Sequence, residues 1–166
     1  MRGITGFVYR TIRQITHWVG HSVDGGLAQL QPLLLAQPAT VPPSTVPVSP
    51  HRDAVLAALN GVLGDHLAAT GNPLAIPMAF RRSGRVLEPR QEKGSRILLL
   101  VHGLCRSDLQ WLRKGHDHGA SLAADLGLTP VYLHYNSGRA IATNGRELAM
   151  RLEALVADWG EPLREI

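Results

Sequence analysis

The amino-acid sequence predicts an α/β protein: a mostly parallel sheet flanked by helices and preceded by further helices at the N-terminus. Three observations lead there. Ile97-Leu98-Leu99-Leu100-Val101 is an unbroken apolar run bounded by polar and glycine positions, the pattern of a strand buried on both faces. Val131 to Tyr135 repeats that pattern after Pro130. Segments of helical spacing follow each run, His118 to Leu126 and then Asn144 to Trp159, the latter with Leu148, Leu152, Leu155, Val156 and Trp159 on one face. Strand and helix alternate, as they do around parallel sheets.

A chain of 166 residues, 45% of them hydrophobic, has room for a real core. Formal charge is +4, but the basic residues are scattered, and the cluster Arg81-Arg82 with Arg85 is short and lacks interleaved aromatics. That argues against a nucleic-acid partner. The lone Cys105 excludes an internal disulfide and any multi-cysteine metal site, and it fits a reducing, cytoplasmic compartment. No compact apolar segment followed by a small-residue cleavage site marks a secretory signal. The apolar stretch Leu33-Leu34-Leu35, flanked by Pro32 and Pro38, is too short to span a bilayer. No cofactor is expected.

From the N-terminus, Ile4, Val8, Ile12, Ile15, Val19, Val23, Leu27 and Leu30 recur at helical spacing, so residues 1–35 form an amphipathic helical segment with a break expected at Gly25-Gly26. Arg10, Arg13, His17 and His21 fall mostly off the apolar stripe. The segment suits packing on its own domain or on a partner, and it also permits peripheral contact with an anionic membrane surface. Residues 36–50 carry Pro38, Pro42, Pro43, Pro47 and Pro50 and read as a Pro-rich linker. Ser49 before Pro50 is an N-cap and first-turn signal for a helix over 51–72, with Val55, Leu56, Leu59, Val62, Leu63 and Leu67, ending near Gly71-Asn72-Pro73.

Residues 73–166 change to strand patterns. Leu74 to Arg82 and Arg85 to Glu88 flank the turn Ser83-Gly84 as a hairpin, with Pro77 demoting the first strand to an edge. Asp117 is placed to cap the helix that starts at His118. Asn144 reads as the cap of the longer helix, with Glu147 completing a capping box. Pro162 closes that helix, and Leu163 to Ile166 would begin a third parallel strand.

An antiparallel hairpin, a strand ending in His-Gly, a helix, a strand and another helix resemble the first half of the α/β-hydrolase superfamily. Within it, Val101-His102-Gly103-Leu104, Trp111, Gly115-His116-Asp117-His118-Gly119 and Tyr135-Asn136-Ser137-Gly138 resemble lipase- or esterase-like members, including the GPI inositol-deacylase-like hydrolases. The likeness covers roughly residues 74–166. It implies an incomplete hydrolase fold in which the loop after the His-Gly strand supplies one oxyanion-hole donor, the backbone N–H of Leu104. Gly103 would let the chain turn sharply, and His102 would brace the loop rather than act as a base. In chain order the family's nucleophile, acid and base follow this loop, so no catalytic residue is expected within the chain, the nucleophile is expected after Ile166, and the chain is expected to be inactive alone. The implied partner of the full-length protein is an ester or lipid-like small molecule. Cys105 and Trp111 would either line an acyl pocket or serve ordinary packing.

Two other patterns compete for attention. Gly20-His21-Ser22-Val23-Asp24 imitates a nucleophile elbow, but Asp24 stands where the second glycine belongs and helical periodicity runs through it. His116-Asp117-His118, with His134 as a further ligand, invites a metal reading, but no partner lies at diagnostic spacing, and no metal site is assigned. Strands 97–101 and 131–135 without later strands to cover them would leave an open edge, so aggregation or dimerisation is expected.

Overall fold

The structure, a computed structural model, describes residues 23–35 and 50–166. Most of the amphipathic segment, Ser22, the linker at 36–49 and the Ser49 cap lie outside the described residues, and so does most of the proposed membrane-contacting face. Among the described residues no helix is long and apolar enough to cross a membrane. The chain divides into two compact units. One holds the described residues up to Ile76 together with the short loops Leu104–Arg106 and Asn136–Arg139, and the other holds Pro77–Gly103, Ser107–Tyr135 and Ala140–Ile166.

In the first unit, α1 (Val23–Leu35) and α2 (Pro50–Ala69) share a core of Leu27, Leu34, Leu59, Leu67 and Leu74. The break expected at Gly25-Gly26 does not occur, and Pro32 also lies inside α1. Each glycine costs a helix about 1 kcal/mol, whereas fully burying one leucine is worth about 1.5–3 kcal/mol, so packing of Leu27 and Leu34 overrides the local preference. Helix α2 starts at Pro50, the last residue of the expected linker, because a proline's missing N–H is no loss in the first turn. It bends at Leu63 (φ −114°, ψ 16°).

Asn60, fully buried in α2, organises this unit. Its Nδ2 donates to Leu56 O at 2.9 Å and Leu74 O at 2.8 Å, and its Oδ1 accepts from Ile76 N at 2.8 Å. The segment after α2 is therefore held by one side chain acting as a substitute backbone. Two glycines open the helix surface beside it. A Cβ on Gly61 would stand 2.3 Å from Cys105 Sγ, and one on Gly64 would stand 2.1 Å from Asn136 Oδ1. Asn136 Nδ2 donates to Gly64 O at 3.0 Å. The bare helix face thus admits the 104–106 and 136–139 loops.

The second unit is built on a four-stranded mixed sheet of β1 (Ala79–Arg82), β2 (Arg85–Val86), β3 (Ile97–Val101) and β6 (Thr129–His134), in the order β2-β1-β6-β3. The hairpin forms at Ser83-Gly84, both at positive φ (51° and 75°) as a two-residue turn requires. Two expectations fail here. The first strand starts at Ala79 rather than Leu74, because Pro77 has no N–H to give a ladder, and β1 is interior, flanked by β2 and β6. The second stops at Val86.

Strand β3 pairs parallel with β6, and on its other side it meets a single parallel bridge, Arg96 to Glu165, with Ile97 N donating to Glu165 O at 2.9 Å. It is not buried throughout: Ile97 and Leu100 are, but Val101 is 45% exposed. Alternation along the strands sorts the faces. Phe80, Ile97, Val131 and Leu133 pack with Leu155 of α4 (Ile141–Asp158) and with Trp159, the residue that follows the helix, with Leu148 and Leu152 beside them. On the opposite face α3 (His118–Leu126) approaches through Gly119, where a Cβ would lie 2.6 Å from Leu100 Cδ1. Asn144 does not cap α4. That helix starts three residues earlier, after Ala140, which leaves Asn144 in its first turn. The sequence reading also missed a small hairpin, β4 (Leu112–Arg113) with β5 (His116–Asp117), preceded by a 3-10 turn at Asp108–Trp111.

Candidate functional site

From β3 the chain crosses to β6 on one side of that strand and returns to its other side at Glu165. The C-terminal ends of parallel strands are the usual ligand position of open α/β sheets. The residues at that end are His102 and Gly103 after β3, and His134 and Tyr135 at the end of β6.

His102 is buried, and its Nδ1 donates to Gly103 O at 3.0 Å, so the ring closes the turn on itself. The Tyr135 ring stacks on the His102 ring with centroids 4.4 Å apart, and its hydroxyl donates to His102 O at 2.9 Å. Burial pushes the Tyr135 phenol above its ordinary value, which keeps it a donor. Leu104, the next residue, is 65% exposed, and its N–H donates no hydrogen bond among the described residues. Cys105 then adopts φ +57°, unusual for a residue with a Cβ, and its N–H donates to Ser137 Oγ at 3.1 Å.

A charged cluster, absent from the sequence reading as a unit, joins two strands of this sheet to the 3-10 turn at Asp108. Asp108 Oδ1 accepts from His134 Nδ1 at 2.8 Å and from Arg81 Nη1 at 3.3 Å. Arg81 pairs in register with Tyr132, two residues before His134, so strand alternation puts Arg81 and His134 on one face. Burial pushes the Asp108 carboxyl up, but the His134 hydrogen bond and the nearby positive charges outweigh it and hold the group below its ordinary 3.8. In the sequence His134 invites only a metal reading, and Asp108 and Arg81 carry no signal of spacing. A histidine closing an apolar strand was the one available hint.

His116 and His118 are exposed, with ring centroids 4.7 Å apart edge to face. Asp117 between them accepts from Ala120 N at 2.9 Å, capping α3 as expected, and from the Tyr132 hydroxyl at 2.6 Å. Neither histidine belongs to a group of three metal-capable side chains among the described residues, and His134 is engaged by Asp108. The structure does not assemble the metal reading of this motif. Cys105 and Trp111 fall in different units: Cys105 beside Gly61, and Trp111 at the end of its 3-10 turn with a buried indole N–H that has no hydrogen-bond partner among the described residues. Burial raises the Cys105 thiol against the opposing charge of Arg106, which disfavours the thiolate.

Comparison of the chain with protein-family models, with curated proteins and with solved structures found no match.

Proposed function

We propose that this chain supplies the oxyanion-hole side of an ester hydrolase of lipase or esterase type. The observation that carries the reading is the Leu104 N–H, without an internal acceptor among the described residues, directly after a braced His-Gly turn at the end of a parallel strand. When a nucleophile attacks an ester carbonyl, its electron pair forms the new bond and the carbonyl π electrons move onto oxygen. A fixed N–H donor at that oxygen is worth about 3–4 kcal/mol, judged by removal of such donors. His102 serves the turn, since its Nδ1 is engaged by Gly103 O. The nucleophile, acid and base are not assigned to residues of this chain, and the substrate class is a carboxylic ester, lipid-like in character.

The test compares the 166-residue chain with one extended along its coding sequence, on p-nitrophenyl butyrate and with a fluorophosphonate label. The short chain should neither turn over nor label. The extended chain should do both, with the label on the serine of a Gly-x-Ser-x-Gly that follows a further apolar strand. An extended chain that carries no such serine overturns the proposal.

A further inference from the structure

The Asp108–His134 pair leaves one nitrogen that ion pairing does not use. Both residues belong to the second unit, and their side chains are only 3% and 6% exposed. The Asp108 carboxyl is held below its ordinary value, so at neutral pH it is a carboxylate, which only accepts. The 2.8 Å contact therefore places a proton on His134 Nδ1 and, in the neutral ring, the lone pair on Nε2. That nitrogen accepts no hydrogen bond among the described residues. Arg81 of β1 donates to the same Asp108 oxygen at 3.3 Å, so the group that orients the ring is itself fixed.

Place and charge decide what the lone pair can meet. His134 is the last residue of β6, and its ring centroid lies 6.5 Å from that of His102, which follows β3. The two rings stand together at the C-terminal ends of neighbouring parallel strands, where open α/β sheets take ligands. Arg81 and Asp108 cancel in charge, and an imidazole in its neutral form adds none. A neutral molecule with a proton to give fits such a place, whereas an ion would lose its hydration without a counter-charge.

We infer that Asp108 and His134 form a proton-transfer pair at the strand ends: His134 Nε2 is the base that takes the proton of a neutral hydroxyl compound, water included, and Asp108 is the positioning residue behind it. In the step the O–H bond breaks, its electron pair stays on the oxygen, and the proton forms a new N–H bond at Nε2. The imidazolium so formed lies against the Asp108 carboxylate, and it returns the proton when the step reverses. The inference makes no use of Leu104, so it stands or falls apart from the oxyanion reading.

The experiment treats the 166-residue chain at neutral pH with diethyl pyrocarbonate, a neutral reagent that an unprotonated imidazole nitrogen attacks, and follows each histidine by peptide mass spectrometry. A ring sealed in a purely structural pair would react only through unfolding, about a thousand-fold or more slower than the exposed His116. His134 should instead react within about 100-fold of His116, and a slower rate overturns the proposal. Long-range nitrogen–proton NMR correlations should show His134 protonated at Nδ1 and bare at Nε2; the reverse tautomer also overturns it. Asp108→Asn keeps the shape and removes the charge, and it should slow labelling of His134 about ten-fold, as expected for loss of one charge-assisted hydrogen bond, with His116 and His118 unchanged. An unchanged or faster rate at His134, in a variant that melts like the native chain, removes Asp108 from the pair and overturns the inference. Where Asp108→Asn does not fold, the ratio of His134 to His116 in the native chain decides alone.

Discussion

Two histidine-bearing regions of the second unit make opposite use of the same residue types. In the hairpin, His116-Asp117-His118 is contiguous in sequence, and its carboxylate caps a helix while both rings face solvent. At the strand ends, Arg81, Asp108 and His134 are separated by 27 and 26 residues and meet in one buried cluster. Adjacency in sequence makes a motif easy to see but gives it no burial. Chemistry that needs a low dielectric and fixed partners is assembled by topology, from residues that arrive on different elements, here two strands and a 3-10 turn.

The sharpest way to break this contrast is to remove the carboxylate from each region. Asp108→Ala would remove the carboxylate that accepts from both Arg81 and His134, and breaking a buried ion pair in this way costs about 3–5 kcal/mol. Urea unfolding of the chain should show that loss. A change below 1 kcal/mol would mean that the cluster is solvated and the contrast false. The acid dependence has a definite sign. Asp108 is held below its ordinary 3.8 in the folded state, so its contribution is fully present above that value and is lost as pH falls through the lower folded one. The stability gap between native chain and Asp108→Ala should therefore shrink as pH falls below about 4.

The same contrast explains what the sequence made legible. The strands 97–101 and 131–135, the helix 118–126 with its Asp117 cap, and the apolar face of the last helix were readable because periodicity and capping are local properties. Strand neighbours are not local. Pro77 suggested an edge strand, yet β1 is interior because the ladder starts two residues beyond the proline. Of the candidate site, the His102-Gly103-Leu104 turn was visible, while the groups that hold it were not. Tyr135 stands out in sequence only as a strand end and part of a motif, Arg81 only as one of a short basic cluster, and Asp108 not at all.

Asn60 in the first unit is the uncharged counterpart of Asp108: a buried hub, but one whose partners are all backbone groups. Asn60→Ala strands the Ile76 N–H and removes a donor from Leu74 O, each a buried group. A loss of about 2–3 kcal/mol follows, measured by the same urea titration. Unlike the Asp108 variant, its cost should not change between pH 7 and pH 3, which separates a polar hub from a charged one.

Asp117→Ala tests the hairpin carboxylate. It removes the N-cap of α3 and the acceptor of the Tyr132 hydroxyl, whose ordinary value is raised by burial and then by Asp117 itself. Loss of an N-cap costs about 1 kcal/mol and a buried hydroxyl left without its acceptor about 1 kcal/mol more, short of the Asp108 effect although both residues are aspartates beside a histidine. Helix fraying should appear as faster amide exchange at Ala120, the residue whose N–H the carboxylate accepts.

The smallest effect belongs to the histidines that looked most functional. His116 and His118 are exposed, and His116 Nε2 lies 3.4 Å from Ser121 Oγ, a long contact on a wet surface. Replacing either by alanine should change stability by less than about 0.5 kcal/mol, the range of ordinary surface substitutions. The double variant should also bind zinc no differently from the native chain by isothermal titration, because two solvent-facing imidazoles without a third ligand lack the closed shell that structural zinc sites have. A native chain that takes up one zinc with micromolar affinity, and loses it in the double variant, would reverse the comparison: the contiguous motif would then be the functional one, and Asp117 would have to leave its helix cap to complete it.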